Sequence, residues 1–113
     1  MNIILCCGGR DYTDVARVKE VLDSARTAYP EFVVLQGGAR GADRLCKDWA
    51  EVNGLPCIEM AAGWGYYGKK AGALRNSWML LLKPVVVVAF KGGVGTANMI
   101  MQAKREGIPI YEA

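Results

Sequence analysis

Short apolar runs alternate along this chain with longer segments whose apolar positions recur every three to four residues. The first run, Asn2–Cys7, reads as a buried strand that ends at Gly8-Gly9. A polar loop, Arg10-Asp11-Tyr12-Thr13, leads to Asp14, a good N-cap for a helix over Val15–Tyr29. Val18, Val21, Leu22 and Ala25 form the buried stripe of that helix, and Pro30 ends it. Phe32–Leu35 is a second strand, followed by the turn Gly37-Gly38-Ala39-Arg40-Gly41. A helix opens at once, with Ala42, Leu45, Cys46, Trp49 and Ala50 on one face, and stops near Asn53-Gly54.

Pro56–Met60 predicts a third strand, and Ala61–Lys70 a loop rich in glycine and aromatics. Ala71–Leu82 has helical spacing with Leu74, Trp78, Leu81 and Leu82 on its apolar side, and Pro84 breaks it. Val85–Phe90 is apolar throughout, as expected of a central parallel strand covered on both faces. Lys91–Thr96 is a last glycine loop. Ala97–Glu106 is a helix capped by Gly107, and Ile108–Tyr111 is a closing strand. Strict alternation of strand and helix predicts an α/β fold: a Rossmann-like three-layer α/β/α sandwich on a five-stranded parallel sheet. With strand order 3-2-1-4-5, the loops after strands two, one and four share the carboxyl edge, where open α/β sheets bind ligands.

Composition narrows the picture. The 113 residues suit one domain, spanning 1–113, and 52% apolar with 22% charged residues reads as globular. A net charge of +3 is too small to argue for nucleic acid, which is not expected as a partner. No run is long enough for a membrane span, and the N-terminus lacks the pattern of a signal peptide. Cys6, Cys7, Cys46 and Cys57 form no CxxC pair and read as reduced core residues of a cytoplasmic protein. The absence of histidine removes Ser-His-Asp triads, Cys-His dyads and HExxH zinc sites. No metal and no cofactor are expected.

The glycine loops carry the candidate chemistry. Gly8, Gly9, Arg10, Asp11 and Tyr12 close the first strand. Gly37, Gly38, Ala39, Arg40 and Gly41 close the second, with Asp43 in the first helical turn. Lys91, Gly92, Gly93, Val94, Gly95 and Thr96 close the fourth. A strand, a tight glycine turn and a helix N-terminus together present backbone N–H groups to an anion. Half of the Lys and Arg residues fall on or beside these loops: Arg10, Arg40, Arg44, Lys69, Lys70, Arg75 and Lys91. Trp64, Tyr66 and Tyr67 either stack on a base or form a flap over the core.

Two nucleotide motifs fail. GxGxxG needs glycine at position 98 after Gly93 and Gly95, and Asn98 stands there. The acid expected at the end of the second strand is replaced by Gln36. Gly63–Lys69 matches GxxxxGK, but Lys70 follows where a P-loop needs Ser or Thr for Mg²⁺.

The stretches GGRDYTD, QGGARGAD, WGYYGKKAGALRNSWM and AFKGGVGTANM resemble the YspA/cpYpsA-related branch of the SLOG superfamily. The last is also similar to the PGGxGTxxE signature of the LOG cytokinin-activating phosphoribohydrolases, and DprA is another relative. The resemblance implies a Rossmann-like fold that binds nucleotides or nucleotide-derived ligands of the ADP-ribose type. Arg75-Asn76-Ser77-Trp78-Met79 matches the LOG motif R-K-x-x-M with Asn in place of Lys, so Arg75 and Asn76 carry over as ligand candidates and Arg75 as the catalytic candidate. Met99 stands at the catalytic glutamate of LOG, and Lys91 replaces its proline.

The leading expectation is therefore a protein that binds a nucleotide-derived small molecule, ADP-ribose-like or a cyclic nucleotide signal, as a sensor or by sequestering it. The alternatives are LOG-type nucleotide hydrolysis and DprA-like binding of single-stranded DNA. A homodimer or higher homo-oligomer is expected, because Trp49, Trp78, Met79, Met99 and Met101 offer more apolar surface than one thin sheet would bury.

Overall fold

The computed structural model describes all residues, Met1–Ala113. Its sheet has five parallel strands in the order β3-β2-β1-β4-β5: β1 (Asn2–Cys7), β2 (Phe32–Gln36), β3 (Cys57–Glu59), β4 (Val86–Ala89) and β5 (Ile110–Glu112). The α/β fold and the strand order are those that the sequence pattern predicts. Central β1 aligns Ile4 with Val34 on one side and with Val86 on the other. Both edge strands have three residues, which limits unpaired edge.

Two helices cover each face. α1 (Val15–Ala28) and α2 (Ala42–Val52) enclose the larger core with Ile4, Cys6, Phe32, Val34 and Val88. Phe32 stacks on Trp49 at 5.7 Å, and the Trp49 Nε1–H donates to Asp23 Oδ1 at 2.9 Å, joining α2 to α1. Asp14 caps α1 as its position predicts, accepting from the Arg17 amide at 3.0 Å. On the opposite face, α4 (Ala71–Leu81) and α5 (Val94–Arg105) enclose Leu5, Leu35, Met79, Val87 and Met99.

Three expectations need correction. The Ala61–Lys70 stretch is not all loop: α3 (Trp64–Tyr67) and a 3₁₀ turn over Gly68–Lys70 run straight into α4. The GxxxxGK match therefore lies on short helical turns and does not form a cradle after a strand. The apolar side of α4 is also reversed. Ala71, Asn76, Met79 and Leu80 face the sheet, while Trp78, Leu81 and Leu82 are exposed. Leucines at neighbouring positions satisfy the helical period on either side of this helix, so periodicity alone does not choose. Finally, Trp49, Met79 and Met99 are buried within the chain, leaving Trp78 and Met101 exposed among the five residues behind the oligomer expectation.

Candidate functional site

The three glycine loops meet at the carboxyl edge, and the glycines are what let them meet. A Cβ on Gly8 would come within 2.5 Å of the Ala42 Cβ. One on Gly41 would sit 2.3 Å from the Gly9 carbonyl oxygen, and Gly41 has φ +78° besides. The Gly9 amide donates to the Lys91 carbonyl at 2.9 Å, and the Gly9 carbonyl accepts from the Ala42 amide at 3.0 Å. One residue of the first loop thus bonds to both of the others.

The loop ahead of α2 spends its polar groups internally. The Gly38 amide donates to Gln36 Oε1 at 2.5 Å, and the Ala39 amide to Asp43 Oδ2 at 3.1 Å. Asp43 is buried, and it places a carboxylate at the α2 N-terminus, where the helix dipole favours an anion. Burial raises its pKa, opposed by the Ala39 amide and by Arg75. Asp43, a candidate ligand residue by sequence, is thus part of the loop's own scaffold.

Arg75 is likewise engaged. From α4 it crosses to the end of β2, donating through Nη1 to the carbonyls of Gly37 at 3.1 Å and Met60 at 3.3 Å, and through Nε to Asn76 Oδ1 at 3.0 Å. A Cβ on Gly37 would be 2.2 Å from Nη1, so any side chain there would displace the guanidinium from this position. Nη2 has no protein partner and is open to solvent. Burial lowers the Arg75 pKa, with Asp43 and Cys7 pulling the other way. Of the guanidinium nitrogens, only Nη2 is left for a ligand. Buried Asn76 braces α4 on α5, donating to the Gly95 carbonyl at 3.3 Å and to Asn98 Oδ1 at 3.1 Å.

The loop after β4 is different. α5 begins at Val94, so Val94, Gly95 and Thr96 form its first turn and are not loop. Their three amides have no acceptor within the chain. The first turn holds no acidic side chain, and no side chain caps it. Thr96 does not cap; its hydroxyl lies over Gly92, where a Cβ would come within 2.2 Å of it. Gly93 and Gly95 face open space. An open cavity of about 270 Å³ borders this turn, lined among others by Lys91, Gly92, Gly93, Thr96 and Glu112. Lys91 makes no ion pair, whereas exposed Arg40 pairs with Asp11 at 3.4 Å.

The remaining candidates fall around this edge. Arg10 lies over the Trp64 ring, 5.8 Å from its centroid, and so ties the first loop to α3. Tyr12 packs on Phe90 at 5.3 Å. Lys69 is exposed on the 3₁₀ turn and makes no ion pair. The four cysteines are free. Burial pushes the Cys7 thiol up to about 12, which leaves no thiolate there near neutral pH.

A family model described as "YspA, cpYpsA-related SLOG family" matches residues 2–67. The chain is also 36% identical over 119 aligned residues to the Gene 61 protein of Mycobacterium phage D29, covering 97% of this chain and 94% of that protein. This chain belongs to the YspA/cpYpsA-related SLOG family. No solved structure matches it. The SLOG family model takes in the first two glycine loops and Trp64, while Arg75 and Gly92–Thr96 lie beyond its end. The sequence likeness to LOG enzymes stops at a physical obstacle. Met99, at the position of their glutamate, is 1% exposed among Leu5, Leu35 and Met79, facing the sheet.

Sequence reasoning missed Glu59 and read Gln36 only as a missing acid. Gln36 is fully buried and ordered by three contacts, donating through Nε2 to Glu59 Oε1 at 3.2 Å and to Cys57 Sγ at 3.6 Å and accepting from Gly38. The signal was available: a lone amide closing an apolar strand demands polar partners.

Proposed function

We propose that this SLOG protein binds a nucleotide-derived small molecule by its phosphate at the N-terminus of α5, and acts by sensing or sequestering it. The observation that carries the reading is the unpartnered state of the Val94, Gly95 and Thr96 amides, beside the unpaired Lys91. Three convergent N–H dipoles at a helix N-terminus, with no acid of their own, complement a phosphate. The solvent-facing prong of Arg75 and the Arg10–Trp64 pair add a donor and an aromatic face at the same edge. Hydrolysis of the LOG type gains no support, because the matching position holds a buried Met99.

The test is incubation with a panel of nucleotides, followed by mass spectrometry of both bound ligand and products. Recovery of an intact ligand is expected. Efficient release of free base from nucleoside monophosphates would replace binding by catalysis. Gly95→Val supplies the local control. The space around Gly95 is open, so the variant is expected to fold and to lose binding. Normal ligand affinity in that variant would remove α5 as the phosphate site.

A further inference from the structure

A dinucleotide-type site is missing its third glycine, where Asn98 stands, and an acid at the end of β2. The tertiary structure supplies an acid from the neighbouring strand. Glu59 ends β3 in direct register with Gln36. Its Oε1 accepts from Gln36 Nε2 at 3.2 Å and lies 3.8 Å from Lys47 Nζ. Its Oε2 has no partner in the chain. The carboxylate is thus pinned by one oxygen and free at the other. It borders an open cavity of about 380 Å³, distinct from the one beside α5, with Gly38, Arg40, Arg44 and Lys47 around it. Gly38, at φ +77°, passes so close that a Cβ there would lie 2.9 Å from the Glu59 carboxyl carbon.

The charge arrangement selects the ligand chemistry. Arg40, Arg44 and Lys47 repel a cation from this cavity. The free Oε2 repels an anion, and the arginines are already occupied, Arg40 by Asp11 at 3.4 Å and Arg44 by Asp48 at 3.2 Å. A neutral group that donates hydrogen bonds to the carboxylate and accepts one from Lys47 satisfies both. A vicinal diol does so, and a carboxylate at this edge of an open α/β sheet is suited to ribose hydroxyls.

We infer that Glu59, positioned by Gln36, is a sugar-diol recognition residue in the β2–β3 cavity, and that the ligand is a diphosphate-linked ribonucleoside. The length follows from topology. β3 and β4 are three strand spacings apart, about 14 Å, which exceeds the reach of a single phosphate on a ribose. A diphosphate bridges from the α5 amides to this cavity. The inference rests on α5 as the phosphate site.

The experiment titrates ADP and 2′,3′-dideoxy-ADP into the wild-type protein, Glu59→Gln and Gly95→Val by calorimetry. Wild type is expected to prefer ADP about tenfold, the loss that follows from removing hydrogen bonds to a charged group. Glu59→Gln is expected to bind the two compounds alike. A wild type without the preference, or a Glu59→Gln variant that retains it, overturns the inference while leaving the phosphate site standing. Undiminished ADP binding by Gly95→Val, or none by wild type, overturns the phosphate reading and this inference with it.

Discussion

Two helices of this chain open behind glycine-rich loops, and they use glycine for opposite ends. At α2, glycine makes room for protein. Gly41 admits the Gly9 carbonyl, Gly37 admits the Arg75 guanidinium, and Gly38 admits Glu59. The amides of Gly38, Ala39 and Ala42 are spent on Gln36, Asp43 and Gly9, and Asp43 supplies the anion that the helix dipole favours. At α5, Gly92 still makes room for Gly9 and Thr96, but Gly93 and Gly95 have nothing beside them, and the first three amides are free. A glycine loop is therefore not a ligand site by composition. The hydrogen-bond account decides whether its amides are available.

The largest effect that separates the two loops comes from adding one methyl group to each. Gly41→Ala forces a left-handed φ on alanine and drives its Cβ to 2.3 Å from a backbone oxygen that cannot swing away. A loss of about 3–4 kcal/mol of stability is expected in denaturant unfolding. Gly95→Ala, with open space and helical backbone, is expected to gain about 0.5 kcal/mol instead. Equal effects at the two positions would erase the contrast.

Arg75 offers a middle-sized test. It belongs to the α2 side of the comparison, since Nη1 holds the loop ends at Gly37 and Met60, while Nε bonds the neighbouring Asn76 on α4. Arg75→Ala is expected to cost about 2 kcal/mol, allowing for partial exposure. Arg75→Lys is expected to recover less than half of that, because one ammonium cannot reproduce a fork bonded to three acceptors. Full recovery by lysine would show that charge alone matters there.

The smallest effect is a slope. Burial raises the folded-state pKa of Asp43 above its ordinary 3.8, so between those two values the native state holds the proton that the unfolded chain has lost. Its contribution to stability is complete below 3.8 and declines as pH rises through the folded value. Asp43→Asn removes the titration. The stability of wild type relative to this variant is expected to fall as pH is raised across that window. A difference independent of pH would mean that Asp43 is solvated, and that the α2 loop is as open as that of α5.

Much of the fold was legible in local pattern. Asp14 begins α1, Pro30 follows its end, and the apolar run before Phe90 marks a central strand, because capping, φ restriction and burial on two faces each leave a mark on nearby residues. The candidate site was legible at the level of its loops. It was not legible at the level of its atoms. Asp43, Arg75 and Asn76 carry groups suited to a ligand, yet the chain itself occupies most of them. The exposed stripe of α4 was misread because both of its sides are apolar enough to satisfy the period.

The sequence by itself determined the alternation of strands and helices, the parallel sheet and the convergence of three glycine loops on its carboxyl edge. Those features follow from periodicity, turn chemistry and the handedness of crossover connections, all of which act over short stretches. Only the tertiary structure decided which amides remain free, which way α4 turns and what stands beside Gln36. These depend on partners far apart in the chain: Gly9 with Ala42 and Lys91, Arg75 with Gly37, Glu59 with Gln36. A hydrogen bond satisfied from a distance leaves no periodic trace, so the same glycine-rich text encodes a packed junction after β2 and an open helix end after β4.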